Sequence, residues 1–389
     1  MYVALQKVSV RSWLVAFDLV ARLDWLSALA AFAATTLALW LLTPLAPKLR
    51  LVDHPRGRKN HSMPTPVTGG LAMVAGVLVA AVGSPVVGDG FWGFAAAAAV
   101  LIGIGVLDDI YDVRWYWRIL SQVVAALIMV YASGVRVAQL GPALGLDSMA
   151  LGALSVPFTV FATVGLINAI NMIDGVDGLA GALVWCALLM LGAAALYAGN
   201  DVIAERMMLL MGAVAGFLMF NMRSPWRPRA RLFMGNSGSA FLGLVVAWFS
   251  FRLTQNAGHP VSPVLALWLL PVPVMDTLVV MARRIRMRRS PFHPDRNHIH
   301  HLMIDAGVSV GRTVLLLCLF TLGCGFLVGQ GMRADVPNPV LLSMFGVMGL
   351  AWYGFSEERE RALGLFSRLS GESASQRAER ARARLASSE

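Results

Sequence analysis

The sequence predicts an all-α fold, a polytopic integral membrane protein built as a bundle of about eleven transmembrane helices. Three observations predict it. Apolar residues make up 57% of the 389-residue chain and charged residues only 14%. Apolar runs of about 17 to 22 residues, the length a helix needs to cross a bilayer, recur along the whole chain. Basic residues crowd into alternate connections, which is the positive-inside pattern.

The runs lie near 25–46, 69–87, 91–107, 118–133, 154–173, 179–198, 205–221, 238–254, 263–282, 313–331 and 337–355. Residues 1–24 contain Asp18 and Asp24 and lack a signal-peptide cleavage pattern, so they read as an amphipathic lead-in. The membrane domain spans 25–355, and 356–389 is a polar cytoplasmic tail. With the N-terminus outside and the C-terminus inside, 25 of the 32 Lys and Arg fall on the cytoplasmic side. The net charge of +10 is therefore mostly a topology signal. Attraction to anionic lipid or a phosphorylated substrate is its second use, and nucleic acid is not an expected partner. Cys186, Cys318 and Cys324 lie in apolar runs without metal-ligand spacing and read as small buried hydrophobes.

The unusual polar residues collect on the inner side. The first cluster, "VDHPRGRKNHSMPTPVTGG" (52–70), offers Lys59 and His61 among prolines and glycines. The second, "GVLDDIYDVRWYWR" (105–118), ends an apolar helix in Asp108, Asp109 and Asp112. Carboxylates there oppose the helix dipole and repel one another. A divalent cation, a reacting proton, or Arg114 and Arg118 would offset them. If the helix continues, Asp108 and Asp112 share a face.

The third cluster, "NAINMIDGVDGLAG" (168–181), sits at the seam of two apolar runs. Asn168 and Asn171 are one helical turn apart, and Asp174 and Asp177 follow beside Gly175 and Gly178. Such groups inside a membrane segment are costly and mark function more often than packing. The fourth, "MFNMRSPWRPRARLFMGNSGSAFLG" (219–243), has Asn221, four arginines and small residues opening a helix. Exposed N–H groups at that helix start suit an anion, and close helix packing explains the small residues equally well. The fifth, "RRSPFHPDRNHIHHLMIDAG" (288–307), crowds His298, His300 and His301 with Arg296. These side chains could ligate a metal or hold phosphates, and the upstream arginines favour phosphate. Asp276 is a sixth intramembrane acid, expected to pair with a neighbouring helix or with Arg283.

Carboxylates for a metal or a proton, basic groups for phosphates and amides for a base or sugar are the parts that phosphoryl transfer uses. Their order along the chain also resembles a known family. "RKNHSMPTPVTGG", "LDDIYD", "NAINMIDGVDGLAG", "FMGNSGS" and "SPFHPDRNHIHHL", spread over about 52–302, are similar to the motifs of the polyprenyl-phosphate N-acetylhexosamine-1-phosphate transferases. The "PDRNHIHH" form resembles the WecA-like branch, bacterial enzymes that move GlcNAc-1-phosphate from UDP-GlcNAc to undecaprenyl phosphate.

The resemblance implies UMP and undecaprenyl-diphospho-GlcNAc as products, in the first membrane step of O-antigen or related envelope glycan synthesis. It implies Mg2+, with Mn2+ as an alternative, in the bacterial inner membrane, and a homodimer. Asp108 and Asp109, with Asp112, would act near the lipid phosphate. Asn168, Asn171, Asp174, Asp177 and Asn221 would shape the nucleotide and metal site. Lys59, His61, Arg296, His298, His300 and His301 would hold phosphates or sugar.

One position departs. The family pattern reads "FMGDxGS", its Asp the expected Mg2+ ligand beside Asp174, and this chain has Asn236. An amide oxygen is a weaker partner for a hard cation. An engineered inactive form, a natural low-activity variant, or metal binding by other carboxylates would each account for it. Another UDP-N-acetylhexosamine donor, a transporter and an inactive scaffold are the remaining alternatives. Transporter sites lie near the bilayer midplane, whereas these clusters lie at one end of their spans.

Overall fold

The computed structural model describes residues 24–54, 63–82, 90–141, 149–255, 261–290 and 297–370. Lys59, His61 and Arg296 lie outside the described residues, as do most of the lead-in and the end of the tail. The chain is an all-α membrane bundle. Its helices are α1 (Trp25–Leu42), α2 (Gly69–Ala81), α3 (Phe91–Tyr111), α4 (Trp115–Ser133), α5 (Ser155–Ile173), α6 (Leu179–Tyr197) and α7 (Asp201–Asn221). There follow α8 (Gly235–Thr254), α9 (Val264–Leu269), α10 (Pro271–Arg286), α11 (Ile299–Asp305), α12 (Val310–Arg333), α13 (Asn338–Glu357) and α14 (Arg359–Ser367).

Among the described residues, nine helices are long and apolar enough to span a membrane. The other two expected spans are not among these nine. Of the run at 69–87 the structure describes residues 69–82, which hold the 13 residues of α2 and its C-cap Val82. The run at 263–282 is broken into α9 and α10. Pro271 has no N–H to continue a helix and pushes Leu270 out of helical geometry, to φ −130° and ψ 56°.

Helix α8 is the buried axis of the bundle. Nearly all its residues are enclosed, including Ser237, Ser239 and Ser250. Helices α3 and α5 pack along it, α2 crosses its start, and α1 packs against α7. Glycine allows the close approach around the start of α8. A Cβ on Gly105 of α3 would lie 2.4 Å from Ser237 Cα, and one on Gly70 of α2 would lie 2.4 Å from Gly238 N. A two-residue antiparallel pair, β1 (Val52–Asp53) with β2 (Thr65–Pro66), leads into α2. The strand then runs beside the entry to α8. Phe233 N–H donates to the Pro66 carbonyl at 2.8 Å, and Gly69 N–H and Gly70 N–H donate to the Phe233 and Met234 carbonyls at 3.0 and 2.9 Å. The first and fourth polar clusters are thereby joined through their backbones.

The C-terminal end braces the histidine segment. Arg359 at the start of α14 pairs with Asp305 at 2.5 Å and reaches Asn297 Oδ1 at 3.3 Å, so it touches both ends of α11. Arg283 of α10 donates to the carbonyl and hydroxyl of Ser356 at 2.6 and 2.8 Å.

Candidate active site

Helix α3 ends at Tyr111. Asp112 takes the left-handed conformation there, φ 54°, and caps the helix through its N–H to the Asp108 carbonyl. This corrects the expectation that Asp108 and Asp112 share a helical face, because the chain turns before Asp112 and leaves it exposed. Asp108 points inward and is buried. Its carboxylate accepts the Val113 N–H at 2.8 Å and pairs with Arg118 at 3.2 Å.

Asp109 turns to the other side and meets the start of α8. It accepts the backbone N–H of Asn236 at 2.9 Å and of Ser237 at 3.4 Å, the Asn236 side-chain amide at 3.1 Å and the Ser237 hydroxyl at 3.3 Å. The anion at this helix N-terminus is therefore a carboxylate of the protein itself, where the dipole favours it. Gly235, at φ +79°, admits this approach, because a Cβ there would lie 2.6 Å from Asp109 Oδ2.

Helix α5 brings the amides to the same place. Asn171 donates to Asn236 Oδ1 at 3.0 Å and to Ser239 Oγ at 2.9 Å. Asn168, one turn earlier, donates to Gln122 Oε1 of α4 at 2.7 Å. Gln122 was not among the residues the sequence singled out, and Ser239 entered only as the last residue of "GNSGS". A lone glutamine in the apolar run "SQVVAALIMVYAS" was the available signal. Between α3, α4, α5 and α8 lies a cleft open to solvent. Asp108, Arg118, Gln122, Asn168, Asn171 and Asn236 form its polar part, and Leu101, Ile104, Ile167 and Ala240 its apolar walls.

Asp174 caps α5 beyond its last turn. Burial, and then the charges of Asp109 and Asp177, push its carboxyl up to about 8. Part of the residue is open to solvent, so the surrounding protein desolvates the carboxyl group without sealing it. Asp177 serves a different purpose. It pairs with Arg223 at 2.7 Å and accepts the Ala230 N–H at 3.1 Å, which ties down the loop after α7. Asn221 is buried and engages both ends of its amide with backbone, accepting Gly178 N–H at 2.8 Å and donating to the Leu232 carbonyl at 2.8 Å. It was expected to shape the nucleotide site, and in the structure it ties the loop after α5 to the loop after α7. Asn221→Ala leaves two buried backbone groups unsatisfied and should destabilise the fold by about 2 to 4 kcal/mol. Thermal unfolding in detergent would measure that loss, and an unchanged midpoint would refute the tie.

The histidines stand behind the Asp174 loop. The rings of His300 and His301 lie 4.2 Å apart, centre to centre. A Cβ built on Gly175 would meet His300 Nε2 at 3.5 Å and His301 Nε2 at 3.7 Å. His298 is buried and pairs with Asp276 at 2.7 Å. Among the described residues, no three His, Cys, Asp or Glu side chains converge as a metal site. The structural-zinc arrangement of histidines is therefore absent there. Mg2+ makes a different demand, since it is commonly held by one or two carboxylates with substrate phosphates and water completing its shell. Asp109, Asp174, whose carboxyl feels the Asp109 charge, and the Asn236 amide form a donor set of that chemistry.

The helix ends holding Asp108, Asp109, Asn168, Asn171, Asp174 and Asn236 thus meet at one end of the bundle. The glycosyl transferase family 4 pattern matches residues 91–254, the segment that carries all six. The undecaprenyl-phosphate alpha-N-acetylglucosaminyl 1-phosphate transferase of Escherichia coli (strain K12) is 34% identical to this chain over 336 residues, covering 84% of this chain and 89% of that protein. This chain belongs to glycosyl transferase family 4. The protein of the same name from Salmonella typhi is 32% identical over 332 residues, with 84% and 89% covered. That from Haemophilus influenzae is 34% identical over 306 residues, with 77% and 84% covered. The matched family segment stops before α10 and α11, so Asp276 and the histidines lie beyond it.

Proposed function

We propose that the protein transfers GlcNAc-1-phosphate from UDP-GlcNAc to undecaprenyl phosphate, releasing UMP and forming undecaprenyl-diphospho-GlcNAc. The observation that carries this reading is the convergence of Asp109, Asn171, Asn236 and Ser239 across three helix ends, beside a cleft that is polar in one part and apolar in the other. Such a cleft fits a phosphate carried on a prenyl chain. Asp108 and Arg118 of its polar part would meet the acceptor phosphate, and Leu101, Ile104 and Ile167 its first prenyl units. The similarity to relatives named for this transfer supports the same reading.

In the reaction an oxygen of the lipid phosphate attacks the β-phosphorus of the donor. The bond from that phosphorus to the bridging oxygen breaks, and UMP leaves. Asp109 and Asp174, with the Asn236 amide, would hold Mg2+, which would neutralise charge on the donor diphosphate. His300 and His301, beside Gly175, would contact that diphosphate or its sugar, as would Lys59, His61 and Arg296. The basic residues support an orientation with this end in the cytoplasm, the N-terminus outside and the C-terminus inside, in a bacterial inner membrane. The product would open O-antigen or related envelope glycan synthesis.

Purified protein supplied with UDP-GlcNAc, undecaprenyl phosphate and Mg2+ should release UMP only when all three are present. Solute uptake into vesicles without UMP release would overturn the reading in favour of a transporter.

The raised Asp174 carboxyl sets a pH dependence. Folding keeps a proton on this group above its ordinary value of 3.8, so the group lowers the stability of the metal-free chain progressively as pH rises from 3.8 to about 8. A cation needs the carboxylate and must displace that proton below about 8. The rise in melting temperature on adding Mg2+ should therefore be larger near pH 8 than near pH 6. An equal rise at both would remove Asp174 from the metal site.

A further inference from the structure

We propose that Asp276 is a positioning residue for the histidine segment, fixing the tautomer and orientation of His298 so that its Nε2 is presented to the diphosphate of a nucleotide-sugar donor. The identity of that donor rests on the function proposed above. Asp276 is 3% exposed and sits inside α10, two turns before the basic end of that helix. A lone carboxylate at such a depth is expensive unless its charge is used. Both its oxygens are committed to one segment. Oδ2 lies 2.7 Å from His298 Nδ1, and Oδ1 accepts the Ile299 N–H at 2.9 Å, capping α11.

A carboxylate accepts only, so His298 Nδ1 carries a proton. That leaves Nε2 for a ligand, a hydrogen-bond acceptor when the ring is neutral and a donor when it is cationic. The His298 ring stacks at 16° on His300, with centres 5.7 Å apart, and meets His301 edge to face at 6.5 Å. His300 and His301 in turn border Gly175, next to Asp174. A tilt of His298 is thus passed to the rings at the candidate site. Asp276 touches no reacting atom, and its effect runs through His298.

The experiment uses the full chain in detergent with two readouts. In the parent labelled with 15N-histidine, the His298 signal, assigned by its loss in His298→Gln, should show a proton on Nδ1. Affinity for UDP-GlcNAc, measured calorimetrically, should fall on the order of 10- to 100-fold in Asp276→Asn, by analogy with the loss when a carboxylate orienting a metal-bound histidine is removed. The double variant Asp276→Asn with His298→Gln should bind no more weakly than His298→Gln alone, which a merely structural acid would not produce. Losses that multiply, or an Asp276→Asn chain binding UDP-GlcNAc as the parent does, would overturn the proposal. If the parent binds no UDP-GlcNAc, the donor assignment falls, and the tautomer decides alone. A His298 proton only on Nε2 then overturns the positioning role. The parent spectrum needs no folded variant at position 276.

Discussion

Asp109→Asn is expected to cut UMP release by about 10²-fold or more, since changing even the partners of a metal's ligands typically costs 10- to 100-fold and Asp109 is proposed as a ligand itself. The physical reason is double. The substitution removes a negative charge beside Asp174, weakening the hold on a divalent cation. It also places an amide against the start of α8, where Asn236 and Ser237 present four donors to a carboxylate. An Asn side chain can accept on one side only, so at least one of those donors loses its partner. Steady-state rates should be read beside the melting temperature, since the helix start is weakened too. A folded Asp109→Asn protein keeping a tenth of the parental rate would remove Asp109 from the chemistry.

Asn236→Asp should act in opposite directions without and with metal. Asn236 now donates to Asp109 and accepts from Asn171. A carboxylate there keeps the second bond but loses the first, and it faces Asp109 Oδ1 across the 3.1 Å now spanned by a hydrogen bond. Two like charges near 4 Å repel by about 4 kcal/mol at an effective dielectric of 20. The metal-free Asn236→Asp protein should therefore melt lower than the parent. A divalent cation between the carboxylates reverses that sign. The Mg2+ concentration for half-maximal UMP release should fall by about tenfold or more, since each 1.4 kcal/mol of the added attraction is a factor of ten. An Asn236→Asp protein as stable as the parent without metal, and no more responsive to Mg2+, would show that position 236 does not face the cation. Asn236 thus has a physical role of its own, adding a side-chain N–H to the backbone donors that hold Asp109.

Much of the bundle was legible because its signals are local. An apolar run of membrane length declares itself, and so does a pair of aspartates at its end. The break at Leu270–Pro271 was written in "LLPVPV", yet the hydropathy of the flanking residues masked it, because apolar composition carries no information on helix continuity. What the sequence hid was partnership. Asp109 and Asn236 are 127 positions apart, and nothing local says that one caps the helix the other begins. For the acids of 108–112 a cation, a proton, or Arg114 and Arg118 were the expected offsets; Arg118 serves Asp108, while the start of α8, which serves Asp109, was not foreseen. Asn221 and Asp177 show the same gap between residue type and partner. Their residue types suit a ligand site, but the geometry ties them to backbone and to Arg223. Asp276 was legible as an intramembrane acid pairing with something, but its partner is His298 and not Arg283.

The most direct test follows the phosphorus. UDP-GlcNAc labelled with 32P at the β position is incubated with the protein, undecaprenyl phosphate and Mg2+, and the lipid is then extracted. Transfer of GlcNAc-1-phosphate predicts that the label moves into the lipid while unlabelled UMP stays in water. Label remaining in water as UDP, with the sugar alone on the lipid, or no transfer at all from this donor, would contradict it.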